Sequence, residues 1–373
     1  MKTPKKTTNI GFFSTFSVLL ISLCGILYLF SSIDLLHSNG ASNFSGLHED
    51  CVDPPLCHSP RLSLIGRMLC LLRASPFDHQ GKAYREYVRG RLQRLGPRFV
   101  KGQYSLEPIL RSVAYKLAYM HEPLVLHLAG DNGVGKTRTA EVISLAVAQR
   151  CGNEDCSLGE STLVLSGTSY DGMTLSEFRR SIVPTICQHA ARYPHNGVLI
   201  INDLSALEPQ KVRLLLPVLG RGERFPEFPR IDLARLIVIV TTDFGKEGRT
   251  QGKSLDEMRY FINTEFQDLY THRSTSIIQT FPYLPISLET ALEIVNMTIQ
   301  DLSCRYQNSL SILDEAALWI VEKAKQLLPV ENGRAVVQEV MRSVGPLLEE
   351  RNGTFSNSSV LGMGLNGELV FSP

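Results

Sequence analysis

The octapeptide Gly130-Asp131-Asn132-Gly133-Val134-Gly135-Lys136-Thr137 constrains this chain more than any other stretch of it. It fits the spacing G-x-x-x-x-G-K-[ST] at every position. Before it, Leu124-Val125-Leu126-His127-Leu128 reads as a buried strand, and after it Arg138–Arg150 reads as an Ala-rich helix. Glycines let consecutive backbone N–H groups turn toward one point, and the positive end of the next helix faces the same point. That arrangement cradles phosphate. Lys136 adds a charge for the β- and γ-phosphates, and the Thr137 hydroxyl completes a Mg²⁺ shell. Residues 130–137, with Arg138 beside them, are therefore expected to bind a nucleotide. The alternative is an ordinary glycine turn with a surface lysine.

The stretches around this loop read as alternating strands and helices. Further strands are expected at 161–165, 197–201 and 236–240, with helices at 175–193, 209–219 and 254–270. Continuous apolar strands between helices indicate a parallel sheet covered on both faces. After Pro285 the pattern turns helical, at 288–306, 314–327 and 334–349, and closes with short strands near 359–361 and 368–371.

Cleaving a nucleotide at such a loop also requires an acid at the end of a neighbouring strand. Val198-Leu199-Ile200-Ile201 ends in Asn202-Asp203, an amide followed by one carboxylate, where two acids are normally wanted. Asp203 is thus the candidate for both Mg²⁺ and the attacking water. The strand 236–240 ends in Thr241-Thr242-Asp243, and a polar group there can reach the terminal phosphate or its water.

The amino terminus has a different character. From Thr7 to Ile33, 27 residues contain no Asp, Glu, Lys or Arg, behind Lys2, Lys5 and Lys6. About 20 apolar residues suffice for a helix to cross a bilayer. Basic flanks stay cytosolic, so the tail 1–8 is expected inside, a transmembrane helix at 9–33, and the remainder outside. A cleaved signal peptide is the alternative; its apolar core is usually shorter and ends at small residues, unlike Ile33-Asp34-Leu35-Leu36. Either reading sends the chain into the secretory lumen. Asn43, Asn296, Asn352 and Asn357 begin triplets of glycosylation-acceptor form. Cys51 and Cys57 flank a Pro-Pro turn, and Cys151 and Cys156 a polar turn; either pair can be a disulfide or free thiols. No metal-ligand cluster is apparent.

Residues 34–94 read as a linker and a basic helical extension. In it Tyr84, Val88, Leu92 and Leu95 recur at helical spacing beside Lys82, Arg85, Arg89, Arg91 and Arg94. The basic face is either simply solvated or a surface for acidic headgroups or an acidic partner. The whole chain carries 38 Lys+Arg against 37 Asp+Glu, a net +1 that makes no case for nucleic acid. Gly167-Thr168-Ser169-Tyr170-Asp171-Gly172 is not the G-x-S-x-G of a serine hydrolase. No guanine-selecting N-K-x-D follows the strands.

With these pieces in order, the chain from about Leu95 onward resembles the AAA+ ATPases of the Clp class, and among them the torsins. Phe99-Val100-Lys101-Gly102-Gln103 looks like the family's Gly-Gln segment beside the adenine, which puts Gly102 among the cofactor-binding residues. Asn202-Asp203 occupies the Walker B pair, and Asp243 the sensor-1 position. Phe281-Pro282-Tyr283-Leu284-Pro285-Ile286 resembles the torsin link into a lid, and Asn332-Gly333-Arg334 the Gly-Ala-Arg that carries the sensor-2 arginine. Gly367-Glu368-Leu369-Val370-Phe371 resembles the last strand of a Clp small domain. The aromatic-hydrophobic-Gly pore loop of the unfoldases is missing between Leu165 and Leu175, and Arg273 is displaced from the Clp finger position.

The resemblance implies a three-layer αβα AAA+ domain at 95–282 and a mainly helical lid at 283–373. It implies ATP and Mg²⁺ as cofactors, with Lys136, Asn202, Asp203, Asp243 and Arg334 in the catalytic set and Thr137 and Asp203 on the metal. It implies a homo- or hetero-oligomer remodelling a protein substrate or membrane in the endoplasmic reticulum and nuclear envelope. A membrane-anchored activator would supply an arginine. Asn202 and Asp243 depart from the family pattern, since one weakens the field around Mg²⁺ and the other adds negative charge beside the γ-phosphate. Two alternatives follow: a nucleotide-gated binding module that no longer hydrolyses, and a Clp-like unfoldase of an organelle.

Overall fold

A computed structural model of the chain describes residues 55–372 apart from short stretches, the longest being 72–78, 267–277 and 351–357. The expected transmembrane helix at 9–33, the acceptor Asn43, Cys51 and Arg273 lie outside the described residues. Among the described residues no helix is long and apolar enough to cross a membrane.

Helices α1 (Leu64–Leu71), α2 (Lys82–Phe99) and α3 (Leu106–Ala118) precede the first strand, β1 (Leu124–Ala129). Then follow α4 (Lys136–Val147), β2 (Thr162–Ser166), α5 (Leu175–Arg192) and β3 (Val198–Asn202). The two short helices α6 (Pro209–Leu214) and α7 (Leu216–Leu219) lead to β4 (Ile237–Thr242), and α8 (Leu255–Phe266) leads to β5 (Ile278–Pro282). The five strands form one sheet in the order β2-β3-β4-β1-β5. Every pairing in it is parallel, with Leu126 opposite Ile239 on one side and Gln279 on the other.

Strand side chains alternate between faces, and both faces are buried. Val125, Leu199, Ile201, Val238 and Val240 pack with α5 to α8. Leu124, Leu126, Leu128, Ile200 and Ile239 pack with α2, α3 and α4 on the opposite face. The result is an α/β fold with helices on both faces of a parallel sheet. The helix ends follow local chemistry: Thr174 and Glu177 form a reciprocal capping box at α5, and Ser254 and Glu257 exchange the same bonds at α8.

The basic helix belongs to this assembly. Tyr84, Val88, Leu92 and Leu95 of α2 are all buried in the core against α4, so the expected division at Leu95 falls inside a helix that packs as one piece. Arg91, read as part of a solvated or docking face, is 1 % exposed. Its guanidinium lies 5.6 Å from the Tyr87 ring centroid and donates to the Tyr87 hydroxyl. Upstream, Cys57 is bonded to Cys70 rather than to Cys51, because α1 carries Cys70 back to it. The backbone of this segment is tied to the end of α4 through Cys57 N–H to Gln149 O and Arg150 Nη2 to Cys70 O. Cys151–Cys156 is a disulfide, one of the two readings the sequence left open, and Cys304 is also disulfide-bonded.

Residues beyond Pro285 have a core of their own. Helices α9 (Leu288–Tyr306), α10 (Asp314–Ala324), α11 (Leu328–Glu331) and α12 (Gly333–Glu350) pack with strands β6 (Ser309–Ile312), β7 (Ser358–Met363) and β8 (Leu369–Ser372). The second sheet runs β6-β7-β8, parallel then antiparallel. Asn296, of acceptor form, sits within α9, where Thr298 of its triplet is buried and donates to Ile294 O.

Candidate functional site

The chain leaves β1 for the far edge of the sheet, returns through β3 and β4, and then crosses to β5 on the other side of β1. Ligands of such sheets bind outside the carboxyl ends of the strands where the order reverses. A cavity of about 1080 Å³ lies there, just above the range usual for small-molecule and cofactor sites. It is lined by the glycine loop, by the ends of β2, β3 and β4, by Phe99–Lys101, and by side chains of α9 and α12.

The loop is shaped by its glycines. Gly133 and Gly135 have φ of +73° and +102°, which L side chains rarely adopt. Gly133 is also locked sterically, because a Cβ there would lie 1.8 Å from Glu331 O. Gly135 precedes the first turn of α4 and turns the chain into it. Lys136 is buried and donates to Gly130 O at 2.9 Å, to Asp131 O at 2.6 Å and to Asp243 Oδ1. Burial pulls the Lys136 ammonium below its ordinary range, opposed first by Asp243 and then by Asp131 and Asp203. Asp131 accepts from the Thr250 hydroxyl, so it is tied to the loop after β4. Thr137 is exposed to the cavity, and Arg138 stacks its guanidinium 4.4 Å from the Phe99 ring centroid.

The strand ends meet the loop from the other side. Thr241 donates to Asn202 Oδ1 at 3.2 Å and accepts from Asp203 N–H at 3.1 Å. Asp203 itself has φ 53° and ψ 50°, a left-handed conformation uncommon for a residue with a side chain. Its carboxyl is pushed up by burial and by Asp243, and pulled down by Lys136 and Arg334. Arg334, in the first turn of α12, thus comes within electrostatic reach of the carboxylate at the end of β3. His127, in the middle of β1, is held by Thr242 at 2.7 Å, and burial with Lys136 lowers it to about 3, so it is neutral.

Of the residues expected at the site, Asp131 to Arg138, Asn202, Asp203, Asp243 and Arg334 all line the one cavity. Gly130 faces away, packed against Tyr283, where a Cβ would meet Tyr283 O at 2.6 Å. Gly102 is not in the lining either. It turns the chain at φ +67° against Thr290, and its neighbours Phe99, Val100 and Lys101 face the cavity instead. The adjoining Gln103 amide pairs with both backbone groups of Leu284, at 2.9 and 3.0 Å, tying this segment to the link after β5.

One residue at the site was not singled out by its side chain. Asn332 is 1 % exposed, with φ 46° and ψ −129°, where glycine is the ordinary occupant. Its amide donates to Asn132 O in the glycine loop at 2.9 Å and accepts from Ile286 N–H at 3.2 Å. Beside it Gly333 N–H donates to Gly133 O. Resemblance to a Gly-Ala-Arg pattern located the segment, and an Asn in place of that pattern's Gly was the one sequence signal for this role. The lining also includes the apolar Val100, Ile294, Leu302, Val337 and Met341, and Asp301, whose carboxyl is raised by burial and lowered by Arg138, Arg98 and Arg305.

No protein-family model matches this chain, and no curated protein sequence matches it.

Proposed function

We propose that the chain is an ATP-binding protein of the AAA+ type, similar to the torsins and Clp proteins. In this reading it is anchored through residues 9–33 with its bulk in the lumen of the endoplasmic reticulum and nuclear envelope. It couples ATP binding, and hydrolysis to ADP and phosphate, to remodelling of a protein substrate or membrane. One observation carries the reading: Lys136, the strand-end carboxylates Asp203 and Asp243, and Arg334 of α12 converge on a single cavity. The cavity is large enough for a nucleotide, and its lining includes the apolar Val100, Ile294, Leu302, Val337 and Met341.

The loop amides and Lys136 would hold the phosphates, while Phe99, Val100 and the apolar lining residues of α9 would take the base. Thr137 and Asp203 offer a hydroxyl and a carboxylate, hard oxygen donors that suit Mg²⁺. When bound, Mg²⁺ would neutralise charge on the terminal phosphate. Asp203 would orient the attacking water and accept its proton. The new bond joins water oxygen to the terminal phosphorus, and the bond to the bridging oxygen breaks. Arg334 would bring α12 to the charge that develops there. A homo- or hetero-oligomeric neighbour, or a membrane-anchored activator, would supply a further arginine.

A second reading is a nucleotide-gated binding module without turnover. It is favoured by the Asn202 amide, which accepts from Thr241 where an acid is wanted, and by Asp243 on Lys136. Turnover of ATP by the full chain in detergent, with and without lumenal membrane proteins, separates the two. Phosphate release stimulated by a partner supports the enzyme. Tight ATP binding with no release under any condition supports the module, and no nucleotide binding at all refutes both.

A further inference from the structure

An ammonium carries three N–H donors. All three of Lys136 have partners within the chain: Gly130 O, Asp131 O and Asp243 Oδ1. A terminal phosphate reaches Lys136 only by replacing one of them. The two carbonyls belong to the backbone of the glycine loop, and Lys136 is what helps to hold that loop in shape. Asp243 is a side chain on a different element, about one-third exposed, and is the partner free to leave.

We propose that Asp243 occupies the place of the terminal phosphate on Lys136, so that the site favours a nucleoside diphosphate and accepts a triphosphate only together with a divalent cation. This rests on the nucleotide-binding reading above. The two outer phosphates do not meet the same surroundings. The inner ones need only the loop amides and the N-terminus of α4, which Asp243 leaves open. The terminal one meets a carboxylate already seated on the lysine. Displacing it leaves Asp243 and Asp203 side by side in the same cavity, facing a phosphate of the same sign. A divalent cation held at the site would offset the repulsion, and a diphosphate avoids it. An amide at this position would carry no charge to compete. The consequence is a site in which cation supply decides which nucleotide is bound.

The test is the ratio of ADP to ATP affinity for the full chain in detergent, measured by titration calorimetry in excess EDTA and again in excess Mg²⁺. The wild-type chain is expected to bind ADP with little dependence on the cation. ATP is expected to bind at least about tenfold more weakly in EDTA than in Mg²⁺, the scale of one hydrogen bond to a charged group. Asp243→Asn, which removes the charge, and Asp243→Ala, which removes the acceptor, are expected to shift the ratio in EDTA toward ATP by about the same factor. The comparison is a ratio within each variant, so a reduced amount of folded protein cancels. An ADP-to-ATP ratio in EDTA unchanged in both variants overturns the proposal while leaving nucleotide binding intact. Failure of the wild-type chain to bind either nucleotide overturns the reading beneath it.

Discussion

Asn332 offers the sharpest mutational test of how the carboxy-terminal helices engage the glycine loop. Asn332→Ala removes the bonds to Asn132 O and Ile286 N–H, while the new residue keeps a Cβ at φ 46°. The position is 1 % exposed, so water does not readily replace them. Two lost hydrogen bonds with buried partners left behind cost about 2–4 kcal/mol together. Asn332→Gly loses the same bonds but relieves the left-handed strain, and should be milder by about 1 kcal/mol. Asn332→Asp keeps an acceptor for Ile286 N–H, yet sets a carboxylate against Asn132 O, so it should be at least as damaging as Ala. Urea denaturation followed by circular dichroism gives the order, and ATP titration in Mg²⁺ should fall in the same sequence. Equal stability of the Ala variant and wild type, or a Gly variant worse than Ala, would refute the reasoning.

Gly133→Ala should abolish nucleotide binding and loosen α12, since its Cβ would overlap Glu331 O. Gly172→Ala, at the same φ of +73° but in open space, should cost only about 1 kcal/mol and leave binding unchanged. Asp203→Asn should raise stability at neutral pH while reducing cation-dependent ATP binding. The Asp203 carboxyl is raised in the folded chain, so the fold holds its proton more tightly than the unfolded chain does. Stability contributed by that proton is present below the ordinary carboxylate range and lost as pH rises through the folded value. The gain from Asn should therefore vanish on acidification, and a variant stabilised equally at all pH would contradict the assignment.

Much of this was legible in the residues. The loop and the runs at β1, β3 and β4 were, because strands buried on both faces must be continuously apolar. β5 was not, because Ile278-Gln279-Thr280-Phe281-Pro282 lies at the sheet edge and mixes polar residues into a short run. Arg91 looked solvated because charge is normally exposed, whereas packing of its helix in the core buries it, with Tyr87 one turn earlier supplying a ring face and a hydroxyl. For Cys57 the sequence offered the nearby Cys51 or a free thiol, whereas α1 decides which sulfur is near in space. Gly102 was placed at the ligand by resemblance, but its backbone conformation and the Thr290 side chain fix it as a turn beside the cavity. The convergence of Asp203, Asp243 and Arg334 was legible as motif order, and their charge coupling was not, since it depends on distances no spacing encodes.

The central claim is that this cavity binds nucleotide phosphate through the glycine loop. ATP affinity of the full chain and of Lys136→Ala, measured in Mg²⁺ with thermal stability as the folding control, tests it most directly. The account predicts that a folded Lys136→Ala loses at least about tenfold in affinity. A folded variant that binds ATP as tightly as wild type would contradict it.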